Sequence, residues 1–174
     1  MHGGIRTRLA FAPVVALAAA LLAGPAVAAT RLSALESGLL AQINEVRRAH
    51  GLAPLALSSS LTAAARQHSS EMGRDGYFAH ESFDHSAFWK RVARWYPSKG
   101  WRYWTVGENL LWSSPDVTPS RAVTMWMNSP EHRANLLSRA WREIGLSAVH
   151  FDAAPGAYGG QPVTIVTADF GARR

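Results

Sequence analysis

The chain has 174 residues, enough for one domain and hardly for two. It holds no cysteine, which excludes a thiol nucleophile, thiolate metal sites and a disulfide framework. Its net charge of +6 is too weak by itself to argue for nucleic acid, and none is expected as a partner.

Residues 1–28 read as a signal peptide. MHGGIRTR is a basic start, LAFAPVVALAAALLAG an apolar run, and Ala26-Val27-Ala28 a small-residue cleavage site. The run is shorter than the roughly 20 apolar residues of a membrane span, so cleavage is the expectation and a retained anchor the alternative. The protein is therefore expected outside the cytoplasm, extracellular or periplasmic, with membrane contact peripheral at most. Removing 28 of the 174 residues leaves 146 for one domain, 29–174, and takes Arg6 and Arg8 away, leaving a charge of +4. A domain of that size buries about two thirds of its unfolded surface and needs no staples.

Ser33-Ala34-Leu35-Glu36 is a capping box, and Leu35, Leu39, Ile43 and Val46 follow at helical spacing until Gly51. SSSLTAAARQHSSEMGRDG predicts a second helix with Leu61, Ala65, His68 and Met72 on one face, ended by Gly73 or Gly76. Asp84 is placed to cap a third, with Phe88, Val92 and Trp95 inward, before a turn at Pro97–Gly100. Thr118-Pro119 starts a fourth, with Val123, Trp126 and Met127 inward. Ser129-Pro130 starts a fifth. Glu143–Phe151 and Gln161–Phe170 alternate as strands do, and Trp104–Trp112 is a third strand candidate. Helices first and antiparallel strands late predict an α+β fold.

The common enzyme signatures are missing: no G-x-S-x-G, no H-E-x-x-H, no phosphate-binding glycine loop and no dinucleotide fingerprint. Histidine beside carboxylate remains, at AHESFDH (His80, Glu81, Asp84, His85), at Glu108 in GEN, and at Glu131-His132. Such residues suit zinc and related divalent ions, or general acid–base work. His132 falls in the first turn of its helix, where the dipole disfavours protonation; a neutral imidazole suits a ligand or a base, and equally a polar first-turn residue. Glu108 lies inside an apolar strand, either partnered and buried or facing solvent at an edge. His68, on the apolar helical face, reads as a hydrogen-bonded core histidine. His85 fits a ligand or the turn after Asp84. His50 and His150 have no evident partner.

Phe88–Trp112 carries five of the seven tryptophans together with Lys90, Arg91, Arg94, Lys99 and Arg102. Rings mixed with cations suit a membrane interface, sugar rings or single-stranded nucleic acid. The competing expectation is that most rings form core with the cations snorkelling over it.

In order, QINEVRRAHGLAPL, LTAAARQHSSEM, GYFAH, GENLLW, AVTMWMNSPEHRANLL, EIGLSA and TADFG resemble the bacterial secreted branch of the CAP superfamily, the SCP-like extracellular proteins. Cysteine-rich secretory proteins, insect antigen 5 and plant pathogenesis-related proteins belong to the same superfamily. The resemblance runs from Leu39 to Gly171. It implies an α-β-α sandwich with a small, mostly antiparallel sheet between helical layers. It also implies a cleft of two histidines and two acids that binds zinc or another divalent cation in several members. By motif these are His80, Glu108 and His132. Where relatives carry the second acid this chain has Ser129, with Glu131 nearby as a substitute and Asn109 beside Glu108 in the cleft. Three ligands plus water would make an open zinc site.

Three readings follow. The first is a secreted, disulfide-free binding module for a lipid, a sterol, a cell-wall component or another envelope partner. The second is a metal-dependent hydrolase of peptide or cell-wall substrate using His80, Glu108 and His132. The third is a structural envelope protein whose His/Glu cluster only steadies the fold.

Overall fold

The computed structural model describes residues 32–174, so the signal-peptide reading lies outside the described residues. Five helices are present: α1 (Ala34–Ala49), α2 (Ser59–Asp75), α3 (Phe88–Trp95), α4 (Pro119–Asn128) and α5 (Pro130–Leu136). Four strands, β1 (Ala56–Leu57), β2 (Trp104–Ser113), β3 (Glu143–Ala154) and β4 (Gln161–Arg173), form one sheet in the order β1-β3-β4-β2. The long pairs are antiparallel; only the short β1 runs parallel to β3. No helix among the described residues is long and apolar enough to cross a membrane.

Helices cover both faces of the sheet. Leu39 and Ile43 of α1, Val123 and Trp126 of α4, and Leu136 of α5 pack on Leu111, Ile144, Leu146, Val166, Ala168 and Phe170. On the other face Leu61, Ala64 and Met72 of α2 and Val92 of α3 pack with Tyr96, Leu110 and Ile165. The α-β-α sandwich and its mostly antiparallel sheet agree with expectation. The α2 layer lies very close: a Cβ on Gly145 of β3 would stand 2.0 Å from the Leu61 carbonyl carbon.

Most start and stop signals act as read. Ser33 and Glu36 close a complete capping box, Thr118 Oγ1 accepts from the Arg121 amide at 3.3 Å, and left-handed Gly76 ends α2. Four local expectations are corrected. Asp84 does not cap α3; it accepts from the Ser86 amide at 2.9 Å, and the chain turns at His85 (φ 61°) before α3 begins. His85 is therefore in a loop, not in a helical first turn. Trp95 is not inward; at the last position of α3 it is 45 % exposed, and its Nε1 donates to Gln67 Oε1 at 2.8 Å. Ser129 takes the N-cap position of α5 with extended backbone, but its side chain makes no capping bond. The rings of Phe88–Trp112 are also less buried than core packing requires: Trp89, Trp95 and Trp101 are each nearly half exposed.

Strand β2 is an edge, and it positions the site. Its outward carbonyls are taken by side chains of the α4–α5 layer: Trp126 Nε1 donates to Leu110 at 3.0 Å and Asn135 Nδ2 to Glu108 at 3.0 Å. Past the same edge, on the opposite face, runs the 77–85 loop.

Candidate functional site

Alternation along β2 splits the GEN triplet between the two faces. Gly107 admits a close approach of the α5 side, since a Cβ there would meet the Trp141 ring at 2.7 Å and Asn135 Oδ1 at 2.9 Å. Asn109 faces α5 and is buried. Its Nδ2 donates to the His132 carbonyl at 3.0 Å, and its Oδ1 accepts from Asn135 Nδ2 at 3.0 Å. Asn109 thus holds the backbone that carries His132 and does not offer its own side chain to the cleft.

Glu108 faces the other way, 6 % exposed, into a polar cluster. His80 Nδ1, from the 77–85 loop, bonds Oε1 at 2.8 Å. The Arg91 guanidinium of α3, itself buried, bonds Oε2. His68 of α2 brings Nε2 within 3.9 Å of Oε1 while that nitrogen donates to the Ala79 carbonyl at 2.9 Å. Directly across the ladder from Glu108 stands Asp169 of β4, fully buried, with no partner for either oxygen as a carboxylate. Arg91, Asp169 and the proximity of His68 escaped the sequence reading. A signal existed for two of them: Asp169 is the one acid in QPVTIVTADF, and Arg91 lies on the apolar face of α3.

Burial governs the protonation of this cluster. It pushes the Glu108 carboxyl up to about 7, with the Arg91 charge pulling the other way. Burial, and then the Glu108 charge, push Asp169 well above the ordinary carboxylate range. Two carboxyls share one guanidinium, so the pair keeps a proton. Glu108 touches Arg91, which favours its ionised form, while Asp169 has no cation in contact and is pushed further toward its protonated form. Burial and the Arg91 charge force His68 down to about 3. His80 is lowered mainly by burial, with Glu81 opposing and Arg91 adding. A neutral His80 that donates from Nδ1 to Glu108 keeps an unprotonated Nε2. His132 is lowered by burial and then by the His80 charge, while exposed Glu131 at the rim raises both rings.

His80 and His132 therefore reach the β2 edge from opposite layers. Beside them, Phe78, Leu111, Trp112 and Met125 line a hollow of about 300 Å³ that also takes in Ser129 and His132. Across the loop, Tyr77, Glu81, Phe83 and His85 line a second hollow of about 400 Å³, which places His85 away from His132.

As arranged, Glu108 is not free to serve as a metal ligand: His80 Nδ1 bonds one of its oxygens and the Arg91 guanidinium the other. His80 keeps Nε2 as its open nitrogen. Among the described residues no three His, Asp or Glu side chains converge as ligands.

The chain is 33 % identical over 122 residues to the uncharacterized protein YkwD of Bacillus subtilis (strain 168), and 29 % identical over 111 residues to its uncharacterized membrane protein YlbC. It spans only 45 % and 30 % of their lengths. Among solved structures, an extracellular protein containing a SCP domain from Bacillus anthracis str. Ames is 28 % identical. It matches with a TM-score of 0.57 over 78 % of this chain and 40 % of its own. An outer surface protein from Borrelia burgdorferi shares the fold at 21 % identity, TM-score 0.63, over 78 % of this chain and 90 % of its own. The family model of the cysteine-rich secretory proteins matches residues 40–170, and the chain belongs to that family, CAP.

Proposed function

We propose that this chain is a secreted binding module whose cleft takes a small amphipathic ligand. The apolar part enters the hollow of Phe78, Leu111, Trp112 and Met125; a polar head meets His80 and His132. The observation that carries the reading is the junction at His132 of that hollow with the polar cluster at the β2 edge. Pockets that join apolar walls to a few oriented polar groups are the usual form of a small-molecule site. Both histidines are shifted toward the neutral form, so the head group best matched is a hydroxyl, which donates to an imidazole nitrogen and accepts from elsewhere. A hydroxylated lipid of the sterol kind fits this description better than a free phosphate does. Secretion rests on the leader-like residues 1–28 and on the extracellular relative.

Titration of the purified protein with a fluorescent sterol is expected to give micromolar binding. Met125→Asp, which places a charge in the hollow, is expected to weaken it about tenfold or more. If no hydroxylated lipid binds, or if Met125→Asp binds as well as wild type, the reading fails. A double His80→Ala, His132→Ala variant that loses stability but keeps binding would move the ligand elsewhere and leave the cluster a structural role. Hydrolysis through a metal held by Glu108 would require Glu108 to release Arg91 or His80.

A further inference from the structure

Away from the cleft, the segment between α3 and β2 is fastened to the end of β4. Tyr103 and Arg174 exchange both backbone bonds, at 2.9 and 3.1 Å, and Trp104 pairs with Arg173. That pairing gathers Trp101, Arg102, Tyr103, Arg173 and Arg174 on one end of the sheet, next to Lys99 in the preceding turn. The Arg173 guanidinium lies 4.0 Å from the Tyr96 ring centre and 5.0 Å from that of Trp101, and Arg174 lies 4.5 Å from Tyr103. Trp101 is 46 % exposed and Tyr103 37 %. Arg102, Tyr103 and Arg174 line a hollow of about 410 Å³ with no Asp or Glu side chain in its wall. Among the described residues none of these arginines is in an ion pair with an acid; Glu143 on the neighbouring strand accepts from the Tyr96 hydroxyl.

We infer that this end of the sheet docks on an anionic phospholipid surface. A guanidinium stacked on a ring face has its N–H groups in the guanidinium plane, free to take two oxygens of one phosphate. Rings hold the arginines in place without neutralising them, as an acid would. Half-exposed indole and phenol rings beside such cations suit the headgroup layer, where one end of each ring is apolar and the other wet. Charge complementarity selects the occupant: a run of unpaired cations is matched by a sheet of phosphates rather than by a neutral glycan or an apolar groove. The surface shares no residue with the cleft, so either proposal stands without the other.

The test is co-sedimentation of the purified protein with phosphatidylcholine vesicles, with and without phosphatidylglycerol. Binding is expected only to the phosphatidylglycerol vesicles, and it should weaken steeply as salt rises. The pair Arg102→Gln with Arg173→Gln should cost about 25-fold, at roughly fivefold per surface cation. Trp101→Ser should reduce binding while leaving the salt dependence unchanged, because it removes an apolar contact and no charge. Both variants change side chains outside the packed core, and circular dichroism reports whether they stay folded. If either is unfolded, competition of wild-type binding by salt and by soluble polyphosphate decides. Equal binding to neutral vesicles, no vesicle binding, or tight binding to soluble polyphosphate with none to vesicles would each overturn the inference.

Discussion

Arg91 is a cation supplied by the chain against the one carboxylate that the family resemblance implies as a metal ligand. Removing it leaves Glu108 buried without its counter-ion, a loss of about 3–5 kcal/mol for a broken buried pair. Arg91→Leu should therefore melt well below wild type. Added zinc should raise the melting temperature of that variant and not of wild type, because only the variant has a Glu108 oxygen to offer. Asp169 makes a second prediction, with its sign fixed by the direction of its shift. Its folded pKa is raised, so the native state holds a proton that the unfolded chain releases, and stability is lost as pH climbs above the unfolded value. Asp169→Asn mimics the protonated form permanently. Its stability relative to wild type should grow from about pH 4 upward, by at most about 1.4 kcal/mol per pH unit for one proton, as read by urea unfolding across pH. Glu108 was legible because a carboxylate inside an apolar strand demands a partner. The same reasoning extends to Asp169 and Arg91, yet nothing in the spacing says that α3 and β4 bring them to one carboxylate. His68 reads correctly as a buried, bonded histidine, and only the packing of α2 puts it 3.9 Å from Glu108.

Among the elements, those with strong punctuation were legible from the sequence. The α1 capping box, the Thr118 cap, the Gly76 terminus and the three long strands were all visible as local chemistry. The misreadings fall where a tertiary contact sets the local form. Strand β1 is two residues long and exists by pairing with β3. The turn at His85 postpones α3 past the residue that looked like its cap. Ser129 has a capping residue's backbone without its bond, which leaves its hydroxyl at the hollow beside His132. Helix α2 meets β3 main chain to main chain at Gly145. Gly145→Ala forces a Cβ onto the Leu61 backbone and should cost about 3 kcal/mol or more, since a helix main chain cannot move aside as a side chain can. A denaturant melt of that single variant checks it.

The whole molecule carries its polar cluster between the sheet and the α2–α3 layer, and this shapes its response to acid. His68, held near 3 when folded and near 6.5 when unfolded, contributes stability that is complete above 6.5 and lost as pH falls toward 3. The Glu108–Asp169 pair, which keeps one proton when folded, acts oppositely as pH rises past the ordinary carboxylate value. The two contributions offset each other in the overlapping range, so the wild type should be nearly flat there. In His68→Gln only the contribution of the acid pair remains, and the stability difference, variant minus wild type, should fall as pH rises from about 3 to 6.5. The capped edge of β2 has a separate consequence. An uncovered outer strand is a template on which a second chain can add its own, the first step toward fibrils. Asn135 and Trp126 already hold the carbonyls such an intruder would seek. Asn135→Ala should accordingly grow turbid sooner than wild type when both are followed by light scattering at the same high concentration.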